Sequence, residues 1–238
     1  MAAILGLDTA TAYLSVAVVR DGEIAAEELA GPGDDGRPRH VTGLLPAIER
    51  AVAATGGWPA IGVVAVGTGP GTFTGLRVGI STARSLAQGR AIPIAGISSL
   101  AVLGIGIGET PEADGRSRLA VIDARRSEAF AALYGADGRE VWPPFVATPD
   151  ELCRRLEAAG EPVVAAGDGS LRFRDRLEDA GATVLAAADE AHLVRARHLC
   201  RLAAAVEPGA PETIEPIYLR RPDAELWRER DRGPDKTG

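Results

Sequence analysis

The fold is decided at residues 67–79, which read Gly67-Thr68-Gly69-Pro70-Gly71-Thr72-Phe73-Thr74-Gly75-Leu76-Arg77-Val78-Gly79. An apolar run at residues 61–66 leads into this stretch, and a helical pattern over residues 75–89 follows it. The stretch therefore predicts a glycine-rich turn from a strand into a helix, where open α/β sheets bind anions or present a working surface. Four glycines and one proline within nine residues indicate backbone angles or close approaches that only glycine accepts without steric cost.

The same turn lacks both standard phosphate-binding patterns. No lysine follows a G-x-x-x-x-G frame, so the turn is not a nucleotide P-loop. Thr72 and Thr74 occupy the third-glycine positions of the two G-x-G-x-x-G frames that begin at Gly67 and Gly69. The turn therefore does not predict a nucleotide site of either kind.

Composition limits the possible function classes. The chain has 238 residues, 46% of them hydrophobic, and a net charge of −7, which argues against a free-standing nucleic-acid binder. Residues 1–7 lack a basic signal-peptide region, and no apolar run has the length of a membrane span. Cys153 and Cys200 form neither a disulfide framework nor a metal-ligand spacing. We expect a cytoplasmic protein that contacts RNA only through a partner.

The second half of the chain repeats the pattern of the first. An apolar strand ends at Asp8 and a hairpin turns at Asp21, 13 residues later; the same features recur at Asp123 and Asp137, 14 residues apart. An internal duplication explains the repeat, with two coincidentally similar hairpins as the alternative. Residues 104–117 show no periodicity and are interpreted as the boundary, and a helix is expected near residues 191–206. The predicted organisation is therefore an N-terminal lobe at residues 1–109, a C-terminal lobe at 110–222 and a charged, disordered tail at 223–238.

Five motifs resemble one family. They are Asp8-Thr9-Ala10 after a strand, Arg39-His40-x-x-x-Leu44-Leu45-Pro46 opening a helix, the glycine block at residues 69–79, Asp123-Ala124-Arg125-Arg126, and Pro216-x-Tyr218-Leu219-Arg220. They are similar to the bacterial TsaB (YeaZ) proteins, once labelled glycoprotease-like. Ala10 and Thr72 depart from the family, which more often has Ser there. The two strand–Asp–hairpin halves resemble the two-lobed α/β actin-like or Hsp70-like ATPase (ASKHA) fold.

The resemblance implies an accessory subunit for making N6-threonylcarbamoyladenosine (t6A) at position 37 of tRNAs that read A-starting codons. It implies pairing with a catalytic paralogue of the same fold (TsaD-like), a small P-loop ATPase (TsaE-like) as a further partner, and no catalysis by this chain. It also implies a homodimer through the surface that binds the paralogue. We expect tRNA contact only through the complex, no membrane association and no required cofactor.

The residues that could bind a nucleotide or a metal ion give a weaker signal than the five family motifs. Asp8, Thr9 and Asp123 lie where this fold places a nucleotide site, so they either hold a vestigial nucleotide and Mg²⁺ or cap their own hairpin bends. The histidines, His40, His192 and His198, are interpreted as surface or cap residues without metal spacing. The alternatives are a kinase or ATPase of this fold, a glycoprotease-type peptidase lacking any recognisable motif, or a self-contained homodimer with a regulatory role.

The partner interface is predicted on helices 40–54 and 75–89. Gly75, Gly79, Ala83 and Ala87 recur every four residues and form a strip along which a second helix can approach closely, unless the strip packs on the chain's own sheet. We expect Gly79→Leu to abolish association while leaving the monomer folded. The predicted interface residues are His40, Leu44, Leu45, Ile48, Gly75, Arg77, Val78, Gly79, Ser81, Thr82, Ala83 and Arg84.

Overall fold

A computed structural model describes residues 2–220, and its first half forms a five-stranded mixed sheet. The strands are β1 (Ala3–Asp8), β2 (Leu14–Arg20), β3 (Glu23–Ala30), β4 (Ile61–Gly69) and β5 (Ile94–Ser98). Their order is β3-β2-β1-β4-β5, in which β1, β2 and β3 are antiparallel neighbours and β1, β4 and β5 are parallel neighbours. The glycine turn therefore begins at the carboxyl end of a central strand.

The second half repeats this sheet. Its strands are β6 (Ser117–Arg125), β7 (Glu128–Tyr134), β8 (Glu140–Ala147), β9 (Val163–Ala166) and β10 (Ala182–Val184). Read from the hairpin edge, their order is β8-β7-β6-β9-β10, with the same parallel and antiparallel pairings as the first sheet. The matching order supports the internal duplication, and the predicted two-lobed α/β fold class is confirmed.

Seven α-helices complete the layers of residues 2–220. They are α1 (His40–Ala53), α2 (Phe73–Arg90), α3 (Ser99–Gly108), α4 (Pro149–Ala159), α5 (Asp168–Arg172), α6 (Arg174–Asp179) and α7 (Ala196–Ala203). Helices α1 and α2 pack on one face of the first sheet, whereas α3 and α7 lie between the two sheets. Helices α4 and α6 pack on the far face of the second sheet. Among residues 2–220, no further layer lies over the outer side of α1 and α2.

The structure differs from the predicted organisation at two places and leaves two further predictions open. The segment 104–117 is not wholly irregular, because α3 continues to Gly108 through glycines on buried faces. The single helix expected near residues 191–206 is instead a 3₁₀ turn at Glu190–His192 followed by α7. The division at residues 109/110 stays a prediction, since α3 contacts strands of both sheets and α7, from the second half of the chain, packs on the first sheet. The tail predicted at residues 223–238 lies outside the described residues.

Within residues 2–220, none of the helices combines the length and apolar character needed to cross a membrane.

Candidate functional site

Asp8 ends β1 beside the glycine turn, and its carboxylate is enclosed by the chain. Its Oδ1 accepts a hydrogen bond from the Ala10 N–H at 2.8 Å, and its Oδ2 accepts one from Ser99 Oγ at 2.6 Å. A Cβ added at Gly67 would lie 1.7 Å from Oδ2, so only glycine leaves room for the carboxylate. These contacts fit the interpretation that Asp8 caps its own bend. A cation bound here would have to displace Ser99 or Ala10.

The enclosure changes the acidity of Asp8. Burial raises the pKa of its carboxyl to about 6, while hydrogen bonds from Ser99 and Ala10 oppose part of that rise. The folded state therefore holds this proton more tightly than the unfolded chain, whose carboxyl has a pKa near 3.8. By linkage, the Asp8 contribution to folding stability is fully present below pH 3.8 and is lost as the pH rises through about 6.

We expect Asp8→Asn to remove this pH dependence. The amide oxygen can still accept from Ala10, and its NH₂ group can donate to the Ser99 hydroxyl, so the fold is retained. The free energy of unfolding of Asp8→Asn relative to wild type should rise by about 2–3 kcal/mol between pH 4 and pH 7.5. Urea unfolding at both pH values measures this difference, with the exposed Asp137→Asn as a matched control. An Asp8→Asn difference that stays constant with pH would contradict the assigned burial of the charge.

Thr9 joins the β1–β2 bend to the start of α2. Its Oγ1 donates to the Gly75 carbonyl at 2.7 Å, and a Cβ added at Gly75 would lie 2.0 Å from the Thr9 carbonyl oxygen. A Cβ at Gly79 would lie 2.4 Å from Thr9 Oγ1, and one at Gly71 2.4 Å from the Ala10 carbonyl oxygen. The glycine block is therefore required because the bend lies directly against α2.

Asp123 occupies the equivalent place in the second sheet, but arginines surround it. Its Oδ1 accepts from Arg172 Nη1 at 2.7 Å and from the Arg125 N–H at 2.9 Å. Residues 125–127 all have left-handed backbone angles and form the bend after Asp123. The Arg125 guanidinium in this bend lies 3.4 Å from Asp123 Oδ2. Asp8, Thr9 and Asp123 thus each have partners within the chain. Nucleotide binding by these three residues stays a prediction, and it requires them to exchange those partners.

Residues 214–220 cross from one lobe to the other at this edge, and we call them the crossing segment. The Ile217 N–H donates to the Thr68 carbonyl at 2.8 Å in the first sheet. Arg220 Nη2 donates to the Ala124 carbonyl at 2.8 Å, and its guanidinium forms an ion pair with Glu128 in the second sheet. The motif at residues 216–220 therefore ties the glycine turn to the second hairpin bend.

The histidines lie in three separate places. His40, His192 and His198 are 5%, 6% and 4% exposed, so the surface part of the prediction is wrong for all three. His40 begins α1 and His192 ends a 3₁₀ turn, which fits the other part, positions at helix ends, for these two. His192 Nδ1 accepts from the Gly167 N–H at 3.1 Å, and its Nε2 lies 3.0 Å from the Ala186 carbonyl. Burial lowers the pKa of His40 and of His198. Within residues 2–220, no group of three or more His, Cys, Asp or Glu side chains is placed to hold a metal ion.

Half of the predicted interface residues face inward. Gly75, Gly79 and Ala83 are buried, and the first two lie against Thr9, so the hypothesis of a second chain's helix along this strip is wrong. The alternative, packing on the chain's own sheet, holds. His40, Leu44 and Ile48 are also buried, because they form the stripe by which α1 packs on the first sheet. Gly79→Leu is therefore expected to disrupt the monomer, contrary to the sequence-based expectation.

The other half lies on the outer side of these helices. Leu45, Arg77 and Ser81 are exposed, and Val78, Thr82 and Arg84 are partly exposed. The structure adds Val41, which is 75% exposed and one helical turn from Leu45, itself 50% exposed. We call these seven residues the outer face. The spacing of Val41 and Leu45, out of phase with Leu44 and Ile48, is the sequence signal that identifies Val41.

An aromatic pair at the start of α2 extends the outer face and was missed from sequence. Phe73 and Tyr218 are 38% and 44% exposed, and their ring centroids are 5.7 Å apart. The Arg77 guanidinium lies over the Phe73 ring, 3.8 Å from its centroid. We call Phe73, Arg77 and Tyr218 the aromatic platform. Tyr218 comes from the crossing segment, 145 residues from Phe73, so no local pattern indicates the contact.

Comparisons with known proteins place the chain in a family. The family model described as "TsaD: tRNA N6-adenosine threonylcarbamoyltransferase" matches residues 35–225. The chain is similar to the tRNA threonylcarbamoyladenosine biosynthesis protein TsaB of Escherichia coli, at 32% identity over 91% of this chain and 94% of that protein. It is 27% identical to TsaB of Bacillus subtilis, over 95% of this chain and 98% of that protein. The structure of YeaZ from Pseudomonas aeruginosa matches with a TM-score of 0.76 and 28% identity, over 92% of this chain and 100% of that one. The resemblance is thereby confirmed: the chain belongs to the TsaB (YeaZ) family and has a role in tRNA threonylcarbamoyladenosine biosynthesis.

Proposed function

We propose that this chain is a non-catalytic subunit that supports t6A formation by binding a catalytic TsaD-type subunit through its outer face. The observation that carries the proposal is the exposure of Val41 and Leu45 on a helical layer that nothing in residues 2–220 covers. Adjacent apolar side chains with a polar rim of Ser81, Thr82 and Arg84 are typical of a helical protein interface.

The geometry of the hairpin ends supports a role without catalysis. Asp8 and Thr9 are bonded to Ser99, Ala10 and Gly75, and Asp123 is bonded to two arginines. A general base or a metal-holding carboxylate needs free oxygens at the place where substrate binds. These groups instead hold the bends together, which fits a scaffold.

The proposal includes the other partners that the family resemblance implies. A small P-loop ATPase of TsaE type joins the complex, and tRNA is contacted through the complex as a whole. A homodimer uses the same outer face when the catalytic subunit is absent. We place the protein in the cytoplasm, where its tRNA substrate is found.

Reconstitution tests the proposal. The purified chain should form a complex with TsaD from the same organism, and t6A formation in a threonylcarbamoylation assay should require its addition. The chain alone should neither modify tRNA nor hydrolyse ATP. Modification by the chain alone, or Mg-ATP binding at micromolar affinity that Asp8→Ala and Asp123→Ala abolish, would instead favour the nucleotide-dependent enzyme.

A further inference from the structure

The charge of the outer face differs from the charge of the whole protein. The chain carries a net charge of −7, yet α2 contains Arg77, Arg84 and Arg90 and no acidic residue. Glu49 is the single acidic residue of α1, and Arg50 beside it is paired with Glu28 at 2.6 Å. Helices α1 and α2 together therefore carry more arginines than acidic residues on an acidic protein, with the exposed Glu212 on the 3₁₀ turn at Pro211–Thr213 that packs against α2.

Two of these arginines keep their charge available. Neither Arg77 nor Arg84 forms an ion pair with any residue in the described range 2–220. The two are seven residues apart, which places them on the same side of α2. Arg77 is held by Phe73, whose ring lies 3.8 Å below the guanidinium. This contact orients the arginine and leaves its N–H donors free for a partner.

From this charge, and resting on the proposed function, we infer that the outer face selects a partner whose docking surface is acidic. Arg77 and Arg84 are the residues that determine this specificity. Carboxylates opposite them would form charge-assisted, bidentate hydrogen bonds at the edge of the apolar contact made by Val41 and Leu45. The aromatic platform supplies the Arg and Tyr side chains that are enriched among residues dominating binding energy at protein interfaces.

The same charge disfavours self-association through this face. A two-fold homodimer brings one patch against an identical patch, so the two facing surfaces would carry the same net charge. Like charges brought together at an interface oppose binding. The outer face is therefore expected to bind the acidic related subunit more tightly than a second copy of this chain. The homodimer should be the weaker assembly at low salt.

Exposed apolar side chains favour a protein-binding surface over an RNA-binding surface. A phosphate backbone needs a basic track, but it gains little from Val41 and Leu45. Both side chains are at least half exposed, and they lie on α1, which packs against the helix that carries the arginines. A protein surface that combines apolar and acidic side chains accounts for all of these groups together.

The test is charge reversal, with Arg77→Glu/Arg84→Glu in the full chain. Neither arginine has an ion-pair partner within residues 2–220 that the change would break, so the fold is expected to survive, as circular dichroism and the unfolding midpoint verify. Titration calorimetry with TsaD should show at least about 10-fold weaker binding at 50 mM salt, and the affinity difference should shrink at 500 mM. Self-association measured by sedimentation should stay weak, because the reversal again gives both copies the same charge on this face. The exposed Arg154→Glu on α4 is the matched control and should bind as wild type.

Three other outcomes would overturn the acidic-partner inference or the proposed function. If Leu45→Glu abolishes the complex while the charge reversal binds as wild type, the interface stands and the acidic-partner inference is overturned. If neither change affects binding, the proposed function of the outer face is itself wrong. If the reversal leaves TsaD binding intact but removes tRNA binding by the chain alone in fluorescence anisotropy, the basic surface is an RNA site and the inference fails.

Discussion

Gly75→Ala is expected to prevent stable folding of the monomer. The added methyl carbon would lie 2.0 Å from the Thr9 carbonyl oxygen, and the obstacle is backbone that cannot change rotamer. The clash between the methyl group and the Thr9 carbonyl oxygen can be avoided only if α2 moves away from the β1–β2 bend. That movement breaks the Thr9–Gly75 hydrogen bond and the packing around it. We expect a loss of about 3 kcal/mol or more, a large part of the 5–15 kcal/mol typical of a folded domain.

Gly89→Ala on the same helix is the matched control. Nothing lies within 4 Å of a Cβ at Gly89, which is exposed. Alanine there should stabilise the protein by about 0.5–1 kcal/mol through the ordinary helix preference. Urea unfolding of the two variants therefore separates close packing from helix propensity. If Gly75→Ala is as stable as wild type, the contact between the bend and α2 is not as described.

Leu45→Glu is expected to abolish the complex with TsaD while leaving the monomer folded. Leu45 is 50% exposed, so glutamate is tolerated in the free protein. In the complex, the carboxylate would be buried against an apolar partner surface without a counter-charge, which costs several kcal/mol. We expect binding to weaken by about 100-fold or more in titration calorimetry.

Val141→Glu provides the comparison for this change. Val141 is 51% exposed but lies in β8 of the second sheet, on another part of the molecule. Both variants add one negative charge and remove one exposed apolar side chain of similar accessibility. Equal loss of binding in both would show that the effect comes from net charge or stability, and not from the outer face.

Much of the fold was predictable from sequence because its signals are local. The β1 and β6 strands, each followed by a hairpin, were predicted from apolar runs that end in Asp and from the turns at Asp21 and Asp137. The internal repeat predicted a duplication, and the structure shows two sheets of the same strand order. The glycines of α3 were misleading, since Gly104 is buried against Tyr134 and the helix continues past it.

The site was harder to predict because helical spacing shows which residues share one face of a helix. It does not show whether that face is turned to the core or to solvent. Gly75, Gly79 and Ala83 form a stripe of small residues, which suits close approach by any helix or strand. The structure shows that the β1–β2 bend already lies there. Likewise, the crossing segment brings Tyr218 to Phe73 through tertiary packing, which no sequence window contains. The sequence-based list therefore mixed both faces of α1 and α2, and half of its residues are buried.

The central claim, that this chain acts by presenting its outer face to a catalytic partner, is tested most directly by t6A yield. Nucleosides from tRNA modified in a reconstituted threonylcarbamoylation reaction are quantified by mass spectrometry, with wild type, Leu45→Glu or Val141→Glu added to TsaD and TsaE. The account predicts full t6A formation with wild type and Val141→Glu, and background formation with Leu45→Glu. Wild-type yield with a folded Leu45→Glu variant would contradict it.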